Sequence, residues 1–267
     1  MAGEGAKRRI VVALDTGSLS HAAVEAAAGL AAGWSAEVLA MFVEDIKLLR
    51  LAGLPFAREM GAASAVSRQL QSGDMERALA VQGKQLRRTL EETARRLPFS
   101  WSLEIVRGEL LDIVLGQAAA DVLVLGRTRK PGYSTPAPRA ATSPALPLIG
   151  AHRVAAVVDG SAAGWRTLEA ALVLARTAHA GLLVVARAER QDSFAELREQ
   201  ARRWLAARGA AASGFMSIAA HDTALMGHMA QLYGAAAVLL PEPEQASDAS
   251  DVAKLLDDIA CPVVLIR

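Results

Sequence analysis

Short, continuous apolar runs alternate along the chain with longer stretches in which apolar residues recur three or four apart. Residues 9–14, 36–42 and 122–125 are of the first kind, rich in Val, Leu and Ile, and 101–107 reads as a further strand. Runs of this length suit strands buried on both faces. Between them, residues 18–32, 74–97 and 109–119 carry the helical period. Ser18 and Ser20 are candidate N-caps of the first helix and Gly33 is its stop. Pro98 ends the second. Residues 45–61 read as irregular or partly helical, and the stretch from Ile46 to Phe56 is apolar enough to form a lid, a partner surface or an added flap of core. A second series follows, with strands predicted at 153–158, 181–186, 214–219, 236–240 and 262–266 and helices at 163–178, 192–208, 223–233 and 250–259. Strands alternating with helices predict a parallel sheet covered on both faces.

The two series are copies. Arg9-Ile10-Val11-Val12-Ala13-Leu14-Asp15 aligns with Arg153-Val154-Ala155-Ala156-Val157-Val158-Asp159, 144 residues on. Glu25-Ala26-Ala27 meets Glu169-Ala170-Ala171 at the same offset, and Val38-Leu39 meets Leu182-Leu183. Further along, Asp121-Val122-Leu123-Val124 meets Ala237-Val238-Leu239-Leu240 at an offset of 116, so the second copy is 28 residues shorter in its middle. Residues 130–147 are rich in Pro, Ser, Thr and Ala and read as a linker. The expected organisation is two α/β domains, 7–150 and 151–267. In such sheets ligands bind beyond the carboxyl ends of the strands, where the strand order reverses. That rule selects Asp15, Val43, Gly126 and Asp159.

Composition narrows the function. Lys and Arg number 29 against 28 Asp and Glu, a net charge of +1, which gives no electrostatic footprint for nucleic acid. The single cysteine, Cys261, excludes an intrachain disulfide framework and a Cys-based zinc site. No apolar run reaches the roughly 20 residues of a membrane span, and the first run is too short for a signal-peptide core, so a cytoplasmic protein without membrane contact is expected.

Val11-Val12-Ala13-Leu14-Asp15 with Gly17-Ser18, Asp121-Val122-Leu123-Val124-Leu125-Gly126, Val157-Val158-Asp159-Gly160-Ser161 and the closing Cys261-Pro262-Val263-Val264-Leu265-Ile266-Arg267 together resemble the universal stress protein family in its tandem form. The resemblance implies two tandem adenine nucleotide α-hydrolase-like (Rossmann-like) domains with five-stranded parallel sheets. It implies homodimers that pair through the last strand, and tandem chains that mimic that pairing internally. It also implies one branch that binds ATP and one that does not. In the ATP binders an Asp ending the first strand meets adenine, the end of the second strand borders the base, and a G-x-x-G-x9-G-S/T loop after the fourth strand holds the phosphates. Asp15, Val43 and Gly126 match the first three of these positions. The next glycine of the loop falls on Arg129 and the distal Gly-Ser/Thr on Arg139-Ala140. Arg127, Arg129 and Lys130 offer side chains to a phosphate instead of backbone amides. A last strand for the first copy falls at 146–149.

In the second copy Pro241-Glu242-Pro243-Glu244 occupies the loop position, and carboxylates repel phosphate. No nucleotide is expected there, and Asp159 is expected to cap the next helix. The sequence reading is therefore a protein that binds rather than catalyses, with ATP or AMP as the candidate ligand of the first domain and a structural second domain. The alternatives are an interaction module using residues 45–61 or the outer strand edges, and an enzyme using a nucleotide in the first domain. Leu14-Asp15-Thr16-Gly17-Ser18 matches an aspartic protease string, but an Ala-rich helix follows each Asp here, unlike the β-rich protease. The histidines, His21, His152, His179, His221 and His228, show no metal-ligand spacing.

Overall fold

The apolar runs of both copies join one sheet. A computed structural model describes residues 8–15, 20–60, 67–70, 72–126, 153–188, 190–219, 233–242, 252, 254–256, 259 and 261–267. The first half contributes β1 (Arg9–Asp15), α1 (His21–Trp34), β2 (Glu37–Asp45), α2 (Ile46–Ala52), β3 (Arg58–Met60), β4 (Ser67–Gln69), α3 (Ser72–Arg96), β5 (Ser100–Gly108), α4 (Leu110–Leu115) and β6 (Val122–Leu125). The second contributes β7 (Arg153–Val158), α5 (Ala162–Thr177), β8 (Gly181–Arg187), α6 (Gln191–Ala206), β9 (Gly214–Ile218), β10 (Ala235–Pro241) and β11 (Val263–Ile266).

Nine strands lie in the order β5-β2-β1-β6-β11-β10-β7-β8-β9. Every neighbouring pair is parallel except β6 and β11, which run antiparallel with Val263 opposite Leu125 and Ile266 opposite Val122. Each half thus repeats one order, third-second-first-fourth, and the sequence order reverses between β1 and β6 and again between β7 and β10. β11 completes the second half and also covers the open edge of β6. The predicted strand at 146–149 and the loop residues Arg127 and Arg129 lie outside the described residues. So do the predicted helix span 223–232 and His152, His221 and His228.

Alternate residues of each strand feed two cores, one on each face. Ile10, Val12, Leu14, Val154, Ala156, Val158, Val264 and Ile266 share a cluster with the inner faces of α1, α3, α5 and α6. Val11, Ala13, Val157, Val238, Val263 and Leu265 face the other way, toward Val114 of α4 and toward Leu255, Leu256 and Ile259. Both clusters draw on both halves, so the apolar core runs unbroken from one copy to the other. α1 and α5 lie together over its centre. A Cβ on Gly29 would come 2.9 Å from Leu174 Cδ1, and one on Gly33 would come 2.3 Å from Val173 Cγ1. Two glycines one turn apart on α1 therefore let the helices approach closely.

Local details depart from the sequence expectation. α1 begins at His21, not Ser18, because Ser20 takes the N-cap position and its side chain accepts from Ala23 N. Gly33 does not stop this helix. The stop is Ser35, in the left-handed region at φ 53°. His179, at the same repeat position, has φ 51°. In residues 45–61 the helix α2 is followed by the start of a small hairpin, β3 with β4, that the sequence pattern did not reveal.

Candidate functional site

Asp15 ends β1 because the apolar run ends there. It pairs in register with Val43, and Val43 pairs with Val106. One strand over, Ala13 is level with Leu125, and Gly126 N donates to Ala13 O at 3.3 Å. Asp15 ends β1 and Gly126 follows β6. Val43, expected at the end of its strand, is level with Asp15 but two residues short of the end of β2 at Asp45. The three lie on adjacent strands at the point where strand order reverses. Val43 is buried and Asp15 half-buried, so a carboxylate borders an apolar floor. Such a floor suits a flat heterocycle, and the carboxylate suits its N–H donors.

Charged pairs brace the rim of this edge. Asp45 caps α2, its carboxylate accepting from Lys47 N at 2.7 Å. The Lys47 ammonium meets Glu109 Oε1 at 2.9 Å, and that hydrogen bond holds the lysine's pKa above its ordinary value. Glu44 is buried and accepts from Arg107 Nε at 2.8 Å, which raises the guanidinium's pKa further. Spacing alone did not reveal these pairs, since their members lie more than 60 residues apart in sequence.

The second half closes the equivalent edge. Asp159 accepts from both Ser161 N, at 2.9 Å, and Ser161 Oγ, at 2.6 Å. Ser161, not Asp159, is the N-cap of α5, accepting from Gly164 N at 2.9 Å. Asp159 braces that cap. At the repeat position of Val43 stands Arg187, so the floor carries a cation where the first half is apolar. Glu242, where a phosphate loop would start, is gripped by Arg267, with Nε and Nη2 each 2.7 Å from a carboxylate oxygen. The same guanidinium donates to the carbonyls of Leu115, the last residue of α4, and of Gln117 and Ala120 just beyond it. A carboxylate already holds the anion position.

Cys261 lies just before β11, level with the strand end that bears Gly126. Burial pushes its thiol up to about 12. The sign follows from the direction: the folded pKa exceeds that of the unfolded thiol, so stability is complete below pH ~9 and falls as pH rises toward 12. At pH 8 iodoacetamide is expected to label native Cys261 roughly three orders of magnitude more slowly than the urea-unfolded chain. Mass spectrometry reads this directly. Equal rates would mean that the segment entering β11 is not seated.

Comparisons with known proteins give fold relatives only. No protein-family model and no curated protein matches the chain. Among solved structures, a universal stress protein from Archaeoglobus fulgidus DSM 4304 is 10% identical, with a TM-score of 0.54, covering 96% of this chain and 98% of that one. A protein of unknown function from Pseudomonas aeruginosa PAO1 is 15% identical, with a TM-score of 0.51, covering 98% and 92%. These structures share the α/β fold of this chain. Of the structures matched along nearly the full chain, one is named a universal stress protein and another a putative one. Among the described residues no helix is long and apolar enough to cross a membrane, and no three His, Cys, Asp or Glu gather as metal ligands.

Proposed function

We propose that this chain is a cytoplasmic tandem universal stress protein, built from a first domain of residues 7–150 and a second of 151–267, that acts by binding an adenine nucleotide, ATP or AMP, in its first half without turning it over. The observation that carries this reading is the alignment of Asp15, Val43 and Gly126 on three neighbouring strands, toward their carboxyl ends, where the strand order reverses. Asp15 accepts the adenine amine and Val43 and Val106 form the floor under the ring. Arg127 and Arg129, which follow Gly126 in the sequence, are assigned to the phosphates by their charge alone. The second half takes no nucleotide, because Arg187 replaces the apolar floor and Glu242 with Arg267 fills the phosphate position.

Calorimetric titration of the full chain with ATP and AMP tests this. One site per chain is expected, and Asp15→Ala is expected to weaken it by about tenfold or more, the worth of one charged hydrogen bond. Release of phosphate from bound ATP would overturn the non-enzymatic part. Absence of any nucleotide binding would favour the second reading, an interaction module. That reading has its own observation: Phe56 is 74% exposed beside exposed Leu51 and Leu54.

A further inference from the structure

The two halves differ where their own strands begin, which the antiparallel joint of β6 and β11 puts at opposite edges of the sheet. In the first half three aromatic side chains, Trp34, Phe99 and Trp101, pack against the core around the start of β2 and β5. The repeat places Ala178 where Trp34 stands. Strand register supplies the other two equivalences. Leu39 pairs with Ser102, and its counterpart Leu183 pairs with Gly214. Ala211 therefore corresponds to Phe99, and Ser213 to Trp101. All three aromatic positions hold small residues in the second half.

Beside two of these positions, Ala211 and Ser213, the space is open. A cleft of about 600 Å³ lies there, with Leu172, Ala175, Leu182, Ala210 and Ala212 forming much of its wall. Gly181 and Ser213 close its floor: a Cβ on Gly181 would come 2.9 Å from Ser213 Oγ, and that hydroxyl donates to Leu182 O at 2.9 Å. Arg176 and His179 stand among the lining residues. Arg176 is fixed by one bond, Nη2 to Arg208 O at 2.6 Å, which leaves other guanidinium donors for an anion. Among the described residues no carboxylate lines the cleft. Its volume lies in the range of small-molecule sites, and an apolar wall with one forked cation at its rim selects a particular chemistry.

We propose that this cleft binds a small planar aromatic acid, whose ring takes the volume that aromatic side chains fill in the first half and whose carboxylate meets Arg176. The site lies at the amino ends of β8 and β9. These share a sheet edge with the candidate nucleotide site because β11 runs antiparallel to β6, but β11, β10 and β7 stand between the two. The proposal stands independently of the nucleotide reading.

The probes are indole-3-acetate and its uncharged analogue 3-methylindole, titrated by calorimetry into the full chain, with backbone amide shifts recorded by NMR. Saturable one-to-one binding of indole-3-acetate is expected, with shifts concentrated at Gly181, Gly209 and Ser213. Ala211→Phe, which restores the first half's side chain, is expected to lower affinity for both probes by about tenfold or more while leaving the thermal midpoint unchanged or raised. Should that variant fail to fold, Ala212→Leu serves the same purpose. Arg176→Gln is expected to weaken indole-3-acetate several-fold and to leave 3-methylindole unchanged. The proposal is overturned by absence of saturation at millimolar indole-3-acetate. Affinity that survives filling the cleft, or shifts centred on Gly126 instead, would overturn it equally.

Discussion

Arg267→Ala lowers stability by about 3 kcal/mol, with a fall in Tm of roughly 6–10 °C. The guanidinium is 19% exposed and Glu242 26%, so water screens their pairing only in part. The change removes two bonds to Glu242 and leaves its carboxylate facing the closed strand edge without its cation. It also strips three carbonyls of the first half of their donor. Arg267→Lys recovers little, because an ammonium cannot bridge both carboxylate oxygens and the carbonyls together. A double-mutant cycle with Glu242→Gln isolates the pair, and a coupling below about 0.5 kcal/mol would show that the bidentate contact contributes no more than an exposed ion pair.

The second large effect concerns the helices over the middle of the sheet. Gly29→Leu is expected to destabilise the chain by about 2 kcal/mol, read from urea unfolding. Replacing glycine within a helix gains roughly 1 kcal/mol of propensity. Overpacking costs up to about 3 kcal/mol where neighbours cannot move. Here the overpacking wins, because the first added carbon already meets Leu174 at 2.9 Å and Thr177 at 3.0 Å, and three more must follow it. An unchanged midpoint would mean that α5 can back away from α1 without loss, and that the close approach is incidental.

Much of the fold was legible because burial on both faces writes itself into continuous apolar runs. Val11-Val12-Ala13-Leu14 and its copy Ala155-Ala156-Val157-Val158 marked β1 and β7 to within a residue. The start of α1 was less legible, since Ser18 and Ser20 both suit an N-cap and only tertiary packing chooses between them. β3 and β4 are three residues each and mostly polar, so no alternation announced them. The place of β11 was beyond local pattern altogether: Val263-Val264-Leu265-Ile266 reads as a buried strand, but nothing in it names β6 as a neighbour. At the candidate site the strand-end rule found Asp15, Val43 and Gly126 because position along a parallel strand is a sequence property. Arg187 was equally readable, standing 144 residues from Val43. The grip of Arg267 on Glu242 was not, because it depends on which strand ends β10 and β11 bring side by side.

The reversed strand β11 also sets an order of events during synthesis. β6 is complete at Leu125, while the strand that covers its edge begins at Val263. Roughly 140 residues must be added in between, about 7–30 s at cellular elongation rates. Throughout that interval the nascent first half presents the unpaired backbone of Val122–Leu125, an apolar edge of the kind that captures strands from other chains. A ribosome that stalls within the second half therefore leaves behind a sticky sheet, and the burden on chaperones peaks before the last strand is made.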